Sequence, residues 1–202
     1  MGNKIIFATS NEGKMKEIRM ILADLGLEIQ SMKEAGLCAD IVEDGATFEE
    51  NACIKASTIQ KLSGEIVLAD DSGLEVDYLG GAPGIYSARY MGEDTSYEIK
   101  NQAIMDKLAG VKDTERGARF VCAIAAAFPD GEVLTAYGAV EGQISRKSAG
   151  EGGFGYDPIF YLPERGLTTA ELSPEEKNEI SHRGKALRAM KEKLRKKLGD
   201  MG

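Results

Sequence analysis

Residues 66–77 carry the sequence IVLADDSGLEVD, in which a short apolar run leads into a group of acids. An apolar run followed by polar residues and glycine is typical of a buried strand that ends in a loop. In an open α/β sheet, ligands bind at loops of this kind. The segment therefore predicts that the four carboxylates of residues 69–77 lie at a ligand site. An Asx-type turn with solvated acids is the alternative interpretation of the same residues.

The adjacent acids Asp70 and Asp71 point to a cation as part of that ligand. Neighbouring carboxylates repel each other, and the repulsion is offset when Mg²⁺ binds, because oxygen is its preferred ligand. A hard cation held in this way would also attract the oxygens of a phosphorylated substrate. The segment therefore favours a site where Mg²⁺ and phosphate groups meet.

The N-terminal part of the chain predicts alternating strands and helices. Residues 5–8 form an apolar run, residues 9–11 supply candidate helix N-caps, and Gly26 suits a helix end. A second helix is expected to begin at the capping box of residues 47–50 and to end at Gly64. With the strand before the acids, this strand-helix-strand-helix-strand order indicates an α/β fold.

The second half of the chain predicts antiparallel strands. Residues 119–128 are apolar on both alternating faces, which suits a central strand, and residues 129–131 (PDG) form a tight turn into a strand at 132–139. Together with the earlier units this predicts a mixed central β-sheet flanked by helices. Residues 185–198 combine basic residues with apolar ones at helical spacing, as in a terminal amphipathic helix. We expect residues 1–202 to form a single domain, in which any two lobes share one sheet.

Composition excludes several functional classes. The 202 residues carry a net charge of −8, which argues against binding nucleic acid through a general positive field. No apolar stretch approaches the roughly 20 residues of a membrane span, and the N-terminus lacks the layout of a signal peptide. Cys38, Cys53 and Cys122 are odd in number and follow no metal-binding spacing, which favours free thiols in the cytoplasm. We therefore expect a soluble cytoplasmic protein with no nucleic-acid or membrane partner.

Residues 9–14 (TSNEGK) resemble a phosphate-binding loop in composition. They do not form a Walker A motif, because Ala8 replaces its first glycine and Met15 its Ser/Thr. Free N–H groups at a helix start, a glycine and a lysine nevertheless suit a phosphate group. An ordinary capped helix with a surface lysine explains the segment equally well.

Residues 150–158 (GEGGFGYDP) form the most glycine-dense segment of the chain. Such glycines permit close approach of the backbone to a ligand. Phe154 could stack on a planar base, and Asp157 could accept a hydrogen bond from a base N–H. A flexible loop is the alternative, but the aromatic residues nearby favour an ordered segment.

Residues 173–177 (SPEEK) form a capping box that leads to the pair His182 and Arg183. His182 is the only histidine, which excludes a multi-histidine metal site and gives a histidine-based catalytic triad little support. A lone histidine is usually structural or exposed. Beside Arg183 it supplies a pair of donors, and arginine binds the O6 and N7 acceptors of a purine well.

Taken together, these segments resemble the non-canonical purine nucleoside triphosphate pyrophosphatases, the inosine triphosphatase family. The resemblance covers nearly the whole chain, and six motifs in one order make it specific although each alone is weak. The matching motifs are TSNEGK at residues 9–14, TFEENA at 47–52, ADDSGL at 69–74, GGAPGIYSARY at 80–90, FGYDPIF at 154–160 and SHRG at 181–184.

The resemblance implies Mg²⁺-dependent hydrolysis of ITP, dITP and XTP to the monophosphate and pyrophosphate, clearing deaminated purines from the nucleotide pool. It implies an elongated mixed sheet, two lobes with the active-site cleft between them, and a homodimer. It makes Asp71 the proton acceptor and a metal ligand, with Glu43 as the second metal ligand, for which Asp44 or Glu49 could substitute. Substrate contacts are implied for Thr9, Ser10, Asn11, Glu12, Gly13, Lys14, Ser72, Phe154, Gly155, Tyr156, Asp157, Lys177, His182 and Arg183.

Base selectivity follows from hydrogen bonding in this hypothesis. Donors from His182 or Arg183 to a 6-oxo group would suit hypoxanthine and xanthine, whereas the amino group of adenine would face a donor and leave buried groups unpaired. Two other functions stay open. A sensor would bind a purine triphosphate without cleaving it, and a pyrophosphatase of the related family would act on dTTP or modified pyrimidines.

Overall fold

The computed structural model describes residues 4–9 and 11–200. These residues form seven strands and five α-helices, joined by short 3₁₀ turns. In chain order the elements are β1 (Lys4–Phe7), α1 (Glu12–Leu22), β2 (Glu28–Ser31), α2 (Phe48–Ser63), β3 (Ile66–Val76), α3 (Tyr97–Lys107), β4 (Gly117–Ala127), β5 (Val133–Ile144), β6 (Phe160–Leu162), β7 (Leu167–Thr168), α4 (Pro174–Ile180) and α5 (His182–Asp200).

The strands form one open mixed sheet in the order β2-β1-β3-β4-β5-β6-β7. Strand β1 pairs in parallel with β2 and β3, and Phe7 lies opposite both Ser31 and Leu68. Strand β6 pairs antiparallel with β5 and with β7. The predicted α/β fold with a mixed sheet is therefore confirmed. No helix in the described part of the chain is long and apolar enough to cross a membrane.

The chain divides into two compact units. The first unit comprises the chain up to Asp71, residues 122–138 and the chain from Arg183 onward, and the second unit comprises residues 72–121 and 139–182. Each unit has its own core. The core of the first unit is formed by apolar residues of α1, α5, β1 and β4. The core of the second unit is formed by apolar residues of α3, β4, β5 and β6. The expectation of a single domain over residues 1–202 stays a prediction.

Most predicted helix ends are confirmed by their capping contacts. The Asn11 side chain caps α1, and the Thr47 side chain accepts a hydrogen bond from the Glu50 N–H at the start of α2. The predicted reciprocal bond differs, because the Glu50 carboxylate accepts from the N–H of Ala46, one residue before the cap. The second capping box is complete, with Ser173 and Glu176 each bonding the other's backbone N–H.

The predicted loop after residue 68 is wrong, because β3 continues through the acids to Val76. The physical reason is burial: Leu74 and Val76 are fully buried in the core of the second unit and hold the chain in the extended conformation. Strand β5 likewise runs beyond the predicted residue 139 to Ile144, which is also buried in that core. The acids therefore lie on a strand, where successive side chains point to opposite faces.

Candidate active site

Two acids of β3 lie just beyond the point where its parallel neighbour ends. The pairing of β1 with β3 stops at Phe7 opposite Leu68, and the Ala8 N–H donates to the Leu68 carbonyl at 2.7 Å. Beyond this point β1 no longer pairs with β3. Side chains from helices of the first unit contact Asp70 and Asp71 there instead. The predicted loop does not form here, and a ligand site at these acids stays a prediction.

Asp70 is buried and surrounded by cations of the first unit. Its carboxylate lies 3.0 Å from the Lys14 ammonium and 3.2 Å from Nη2 of Arg183. Arg183 in turn lies 2.7 Å from the Glu17 carboxylate. Burial alone would raise the pKa of Asp70, but Lys14 and Arg183 outweigh it and hold that pKa well below its usual range. Asp70 is therefore ionised at neutral pH, where it neutralises the buried Arg183 and the neighbouring Lys14.

Asp71 has a different set of partners. Its Oδ2 accepts a hydrogen bond from Nδ2 of Asn51 at 3.2 Å, and its Oδ1 lies 3.4 Å from the Lys55 ammonium. Burial raises the pKa of Asp71, and the nearby carboxylates of Glu43 and Asp70 also raise it, against the opposing effect of Lys55. A carboxylate with a raised pKa is better suited to accept a proton than an ordinary aspartate.

The predicted metal ligands Glu43 and Asp71 approach a common cation. The Lys55 ammonium lies 3.1 Å from Oε2 of Glu43 as well as 3.4 Å from Asp71. No group of three or more His, Cys, Asp or Glu residues in the described part of the chain could hold a metal ion. Two carboxylates nevertheless fit Mg²⁺, which commonly binds one or two carboxylates and takes its other ligands from phosphates and water. The alternatives Asp44 and Glu49 are exposed, and neither pairs with Lys55 in the described structure.

The predicted phosphate-binding loop forms the start of α1. Thr9 accepts a hydrogen bond from the Asn11 N–H, and Asn11 accepts one from the Lys14 N–H at 3.1 Å. Glu12 and Gly13 are exposed in the first turn of the helix. The predicted residue Ser10 lies outside the described residues. The structure thus brings Lys14 of this segment to Asp70.

The predicted base-binding residues of the second unit gather around Asp157. This buried carboxylate accepts hydrogen bonds from the Phe154 N–H at 2.8 Å, the Thr169 hydroxyl at 2.8 Å and the Lys177 ammonium at 2.7 Å. The same ammonium lies 4.5 Å from the centre of the Phe154 ring. The glycine-dense segment is thus ordered by a buried ion pair, as its aromatic residues indicated.

The neighbouring residues of this segment are held by α3. Gly155 has a left-handed backbone, and its carbonyl accepts a hydrogen bond from Nδ2 of Asn101 at 3.1 Å. The Tyr156 ring meets Tyr97 edge to face at 5.2 Å, and its hydroxyl donates to the Ser87 carbonyl at 2.7 Å. The structure therefore fixes Gly155 and Tyr156 by contacts to α3 and to the preceding loop.

The three remaining predicted residues occupy separate positions. His182, also in the second unit, stacks on Phe120 with a centroid distance of 4.8 Å. Ser72 follows Asp71 on β3 and is partly exposed. The guanidinium of Arg183 donates to Asp70 and Glu17 in the first unit, so its predicted contact with a base stays a prediction.

A family model matches residues 5–193, almost the entire length of the chain, and its description is the Ham1 family. The chain belongs to the Ham1 family.

Relatives of this Ham1-family chain agree in length and name. A protein of Bacillus licheniformis is 49% identical over 93% of this chain and 95% of its own length, and one of Clostridium perfringens is 50% identical over 95% and 97%. Both are named dITP/XTP pyrophosphatase. The resemblance predicted from the six motifs is confirmed.

Solved structures of the Ham1 family share the fold. The Ham1 protein of Staphylococcus aureus superposes with a TM-score of 0.86 at 42% identity, covering 96% of this chain and 99% of that one. The HAM1 protein of Coxiella burnetii gives 0.87 at 41% identity, covering 97% and 100%. The open mixed sheet described above is therefore the fold of this family.

Several polar residues of this Ham1-family chain contact the predicted site residues but were not predicted from the sequence. Asn51 and Lys55 both contact Asp71, while Thr169 contacts Asp157 and Asn101 contacts Gly155. One signal was available for the first pair, because residues four apart on a helix share a face and α2 otherwise buries apolar residues there. The partners of Thr169 and Asn101 are distant in sequence, so no local pattern indicates those contacts.

Proposed function

We propose that this chain is a nucleoside triphosphate pyrophosphatase that converts ITP, dITP and XTP to the monophosphate and pyrophosphate. The observation that carries the proposal is the contrast within the acid pair. Asp70 is held ionised by Lys14 and Arg183, whereas Asp71 has a raised pKa and shares a cation with Glu43. The names of the relatives support the same reaction. Removal of deaminated purines from the nucleotide pool is the role that follows.

Mg²⁺ is the metal we assign to the reaction, with Glu43 and Asp71 as its protein ligands. The support is the convergence of their oxygens on the Lys55 ammonium, which shows that this position favours positive charge. When bound, a divalent cation offsets the negative charge of the triphosphate and makes pyrophosphate a better leaving group. Two protein carboxylates leave room for phosphate oxygens among the ligands.

Asp71 is the proposed proton acceptor. A water molecule held by its carboxylate attacks the α-phosphorus in line with the bond to the β-phosphate bridging oxygen, and the water proton passes to Asp71. As the new P–O bond forms, the α–β anhydride bond breaks and pyrophosphate leaves. Asn51 and Lys55 contact the Asp71 carboxylate and hold it in position for this transfer.

The start of α1 is the proposed phosphate-binding element. Lys14 supplies a positive charge that Asp70 holds in place, and the exposed N–H groups of the first turn favour anions. Thr9, Ser10, Asn11, Glu12 and Gly13 complete this element in the proposal. These groups stabilise the charge that spreads over the phosphate oxygens during the reaction.

In the second unit, the purine base is assigned to the residues around Asp157. Phe154 offers a ring for stacking, and its position is held by the Lys177–Asp157 ion pair. We assign the donor for the 6-oxo group to His182 or Arg183, of which the Arg183 guanidinium also donates to Asp70 and Glu17. The 6-amino group of adenine is itself a hydrogen-bond donor and would face this protein donor without forming a bond, which disfavours ATP. Ser72, Gly155 and Tyr156 complete the proposed substrate contacts.

The proposal includes a cytoplasmic homodimer. Support for a dimer comes from the family resemblance, which implies a homodimer. Support for the cytoplasm comes from three free cysteines.

The experiment that tests the function is product analysis with a substrate panel. The purified protein is incubated with ITP, dITP, XTP, ATP, GTP and dTTP, with Mg²⁺ or with a chelator. The proposal expects metal-dependent monophosphate and pyrophosphate from the first three, with little turnover of ATP or GTP. Orthophosphate and a diphosphate would place the attack at the γ-phosphorus and contradict it. Tight binding of ITP without turnover would indicate a sensor, and preferential cleavage of dTTP would indicate the pyrimidine-directed enzyme.

A further inference from the structure

The second unit contains a cavity of about 440 Å³ that none of the proposed nucleotide-binding residues lines. It lies where β5 ends, and residues of β6 and β7 contribute to its wall. This volume is within the range of about 300–1,000 Å³ that is common for small-molecule sites. Its lining includes Arg116, Arg146 and Lys147. Three cationic side chains around one cavity make it a candidate binding site in its own right.

Arg116 is the buried cation of this cavity, with only 3% of its surface exposed. Its guanidinium donates to the carbonyls of Ile144 and Leu108, each at 2.7 Å, and of Ser145 at 2.8 Å. These bonds use three of its five N–H groups. Within the described residues, no carboxylate lies at ion-pair distance from Arg116, although buried charges are normally paired with an opposite charge.

The two acids that line the cavity do not form ion pairs with Arg116 or Lys147. Asp113 pairs with Arg146 at 2.7 Å, and the Glu171 carboxylate accepts the Thr168 N–H at 2.8 Å as part of a capping box. Lys147 is exposed and forms no ion pair in the part of the chain that the structure describes. The lining thus holds three cations against two acids, and Arg116 and Lys147 are the two cations that lack a carboxylate partner.

We propose that this cavity binds the phosphate group of a small organic molecule. The exposed Lys147 ammonium supplies a point charge for a phosphate group, and the buried Arg116 guanidinium adds a second positive charge to the wall of the cavity. A phosphate monoester carries about −1.5 to −2 charges at pH 7, which is comparable to the two positive charges of Arg116 and Lys147 that lack a carboxylate partner. Beside the charged groups, the partly exposed Tyr161 offers apolar surface for an organic group. This site is independent of the proposed catalytic reaction.

The experiment titrates small-molecule probes into the full chain in the presence of a chelator and monitors binding in ¹H–¹⁵N spectra. The probes are inosine monophosphate, inorganic phosphate and citrate, and the proteins are the wild type, Lys147→Glu and the matched control Lys112→Glu. Lys112 is also an exposed lysine of the second unit, but it does not line the cavity. Circular dichroism checks that each variant is folded, and Lys147→Ala is the second variant for this position.

The proposal expects inosine monophosphate to shift the amide signals of Ser145, Lys147 and Thr168. Loss of one charge-assisted bond should weaken this binding by about tenfold or more in Lys147→Ala, the reversed charge should weaken it further in Lys147→Glu, and Lys112→Glu should leave it unchanged. Inorganic phosphate should shift the same amides with lower affinity. Shifts confined to residues of the first unit, equal weakening in Lys147→Glu and Lys112→Glu, or the absence of any shift would each overturn the site. Stronger binding of citrate than of either phosphate probe would overturn its phosphate selectivity.

Discussion

The two faces of β3 use adjacent aspartates in opposite ways. On one face, Asp70 is buried against Lys14 and Arg183, and its pKa is lowered. On the other, Asp71 meets Asn51 and a lysine shared with another acid, and its pKa is raised. The difference shows how a strand separates two acids that the sequence places side by side. One face holds a carboxylate between two cations, and the other holds a carboxylate against an amide and a single shared lysine.

The largest expected effect is on activity, from Asp71→Asn. Loss of the proposed proton acceptor and metal ligand should lower kcat for ITP by about 10³-fold, within the range of about 10²–10⁴ for a general base. The free energy of unfolding should change by less than about 1 kcal/mol, because the fold already disfavours the ionised form of Asp71. Steady-state kinetics and urea denaturation measure the two effects. Unchanged kcat in the folded variant would remove Asp71 from the mechanism.

The next effect is on stability, from Asp70→Asn. Removing one partner of a buried ion pair leaves Arg183 and Lys14 without their shared acid, which should lower the free energy of unfolding by about 3–5 kcal/mol. Urea denaturation of the two neighbouring variants provides the comparison. If Asp70→Asn were as stable as Asp71→Asn, the two faces of β3 would not differ as described.

The stabilising contribution of Asp70 should also depend on pH. Its pKa is lowered in the folded protein relative to the unfolded value of about 3.9, so its contribution is fully present above that value and is lost as the pH falls below it. The stability difference between the wild type and Asp70→Asn should therefore shrink in acid. Denaturation at several pH values, with a chelator present, measures this difference. A difference that grew as the pH fell would contradict the assigned direction of the pKa.

Much of this architecture could be predicted from the sequence, because its signals are local. Apolar runs, helix caps and the PDG turn predicted the α/β fold, the mixed sheet and the capping box at residues 173–177. The extent of β3 could not be predicted, because the polar pair and glycine resemble a strand end and only burial of Leu74 and Val76 in a tertiary core keeps the chain extended. That error concealed the separation of Asp70 from Asp71.

For the candidate site, the sequence indicated which residues to consider but not which side chains contact one another. Asp71 and Glu43 were identified as acids of one site, but the lysine between them was missed, because its distance from both depends on how α2 packs. The position of Arg183 shows the same limit. Its sequence neighbour His182 suggested a shared role at the base, whereas its guanidinium bonds to Asp70 and Glu17 through tertiary contacts. Residue identity is local, but the partner that determines a role is distant in sequence.

The smallest expected effect is on stability, from Glu17→Gln. This variant tests whether Asp70 alone accounts for the stabilising effect of the ion pairs of Arg183. Glu17 is the second acid of Arg183, 2.7 Å from its Nη1, but its side chain is 13% exposed whereas that of Asp70 is 1% exposed. Water can therefore replace part of the lost interaction in Glu17→Gln, and the glutamine oxygen can still accept a hydrogen bond. The free energy of unfolding should fall by about 1–2 kcal/mol, less than for Asp70→Asn.

The matched control for Glu17→Gln is Glu192→Gln, which alters a glutamate–arginine pair on the surface of α5. Glu192 lies 2.8 Å from Arg195, and both side chains are largely exposed, so this change should lower the free energy of unfolding by less than about 0.5 kcal/mol. Urea denaturation of the two variants separates burial from pairing as the source of stability. Equal losses would show that the pairing of Arg183 with Glu17 gains nothing from its burial. A loss in Glu17→Gln as large as that in Asp70→Asn would instead show that the two acids hold Arg183 as one unit.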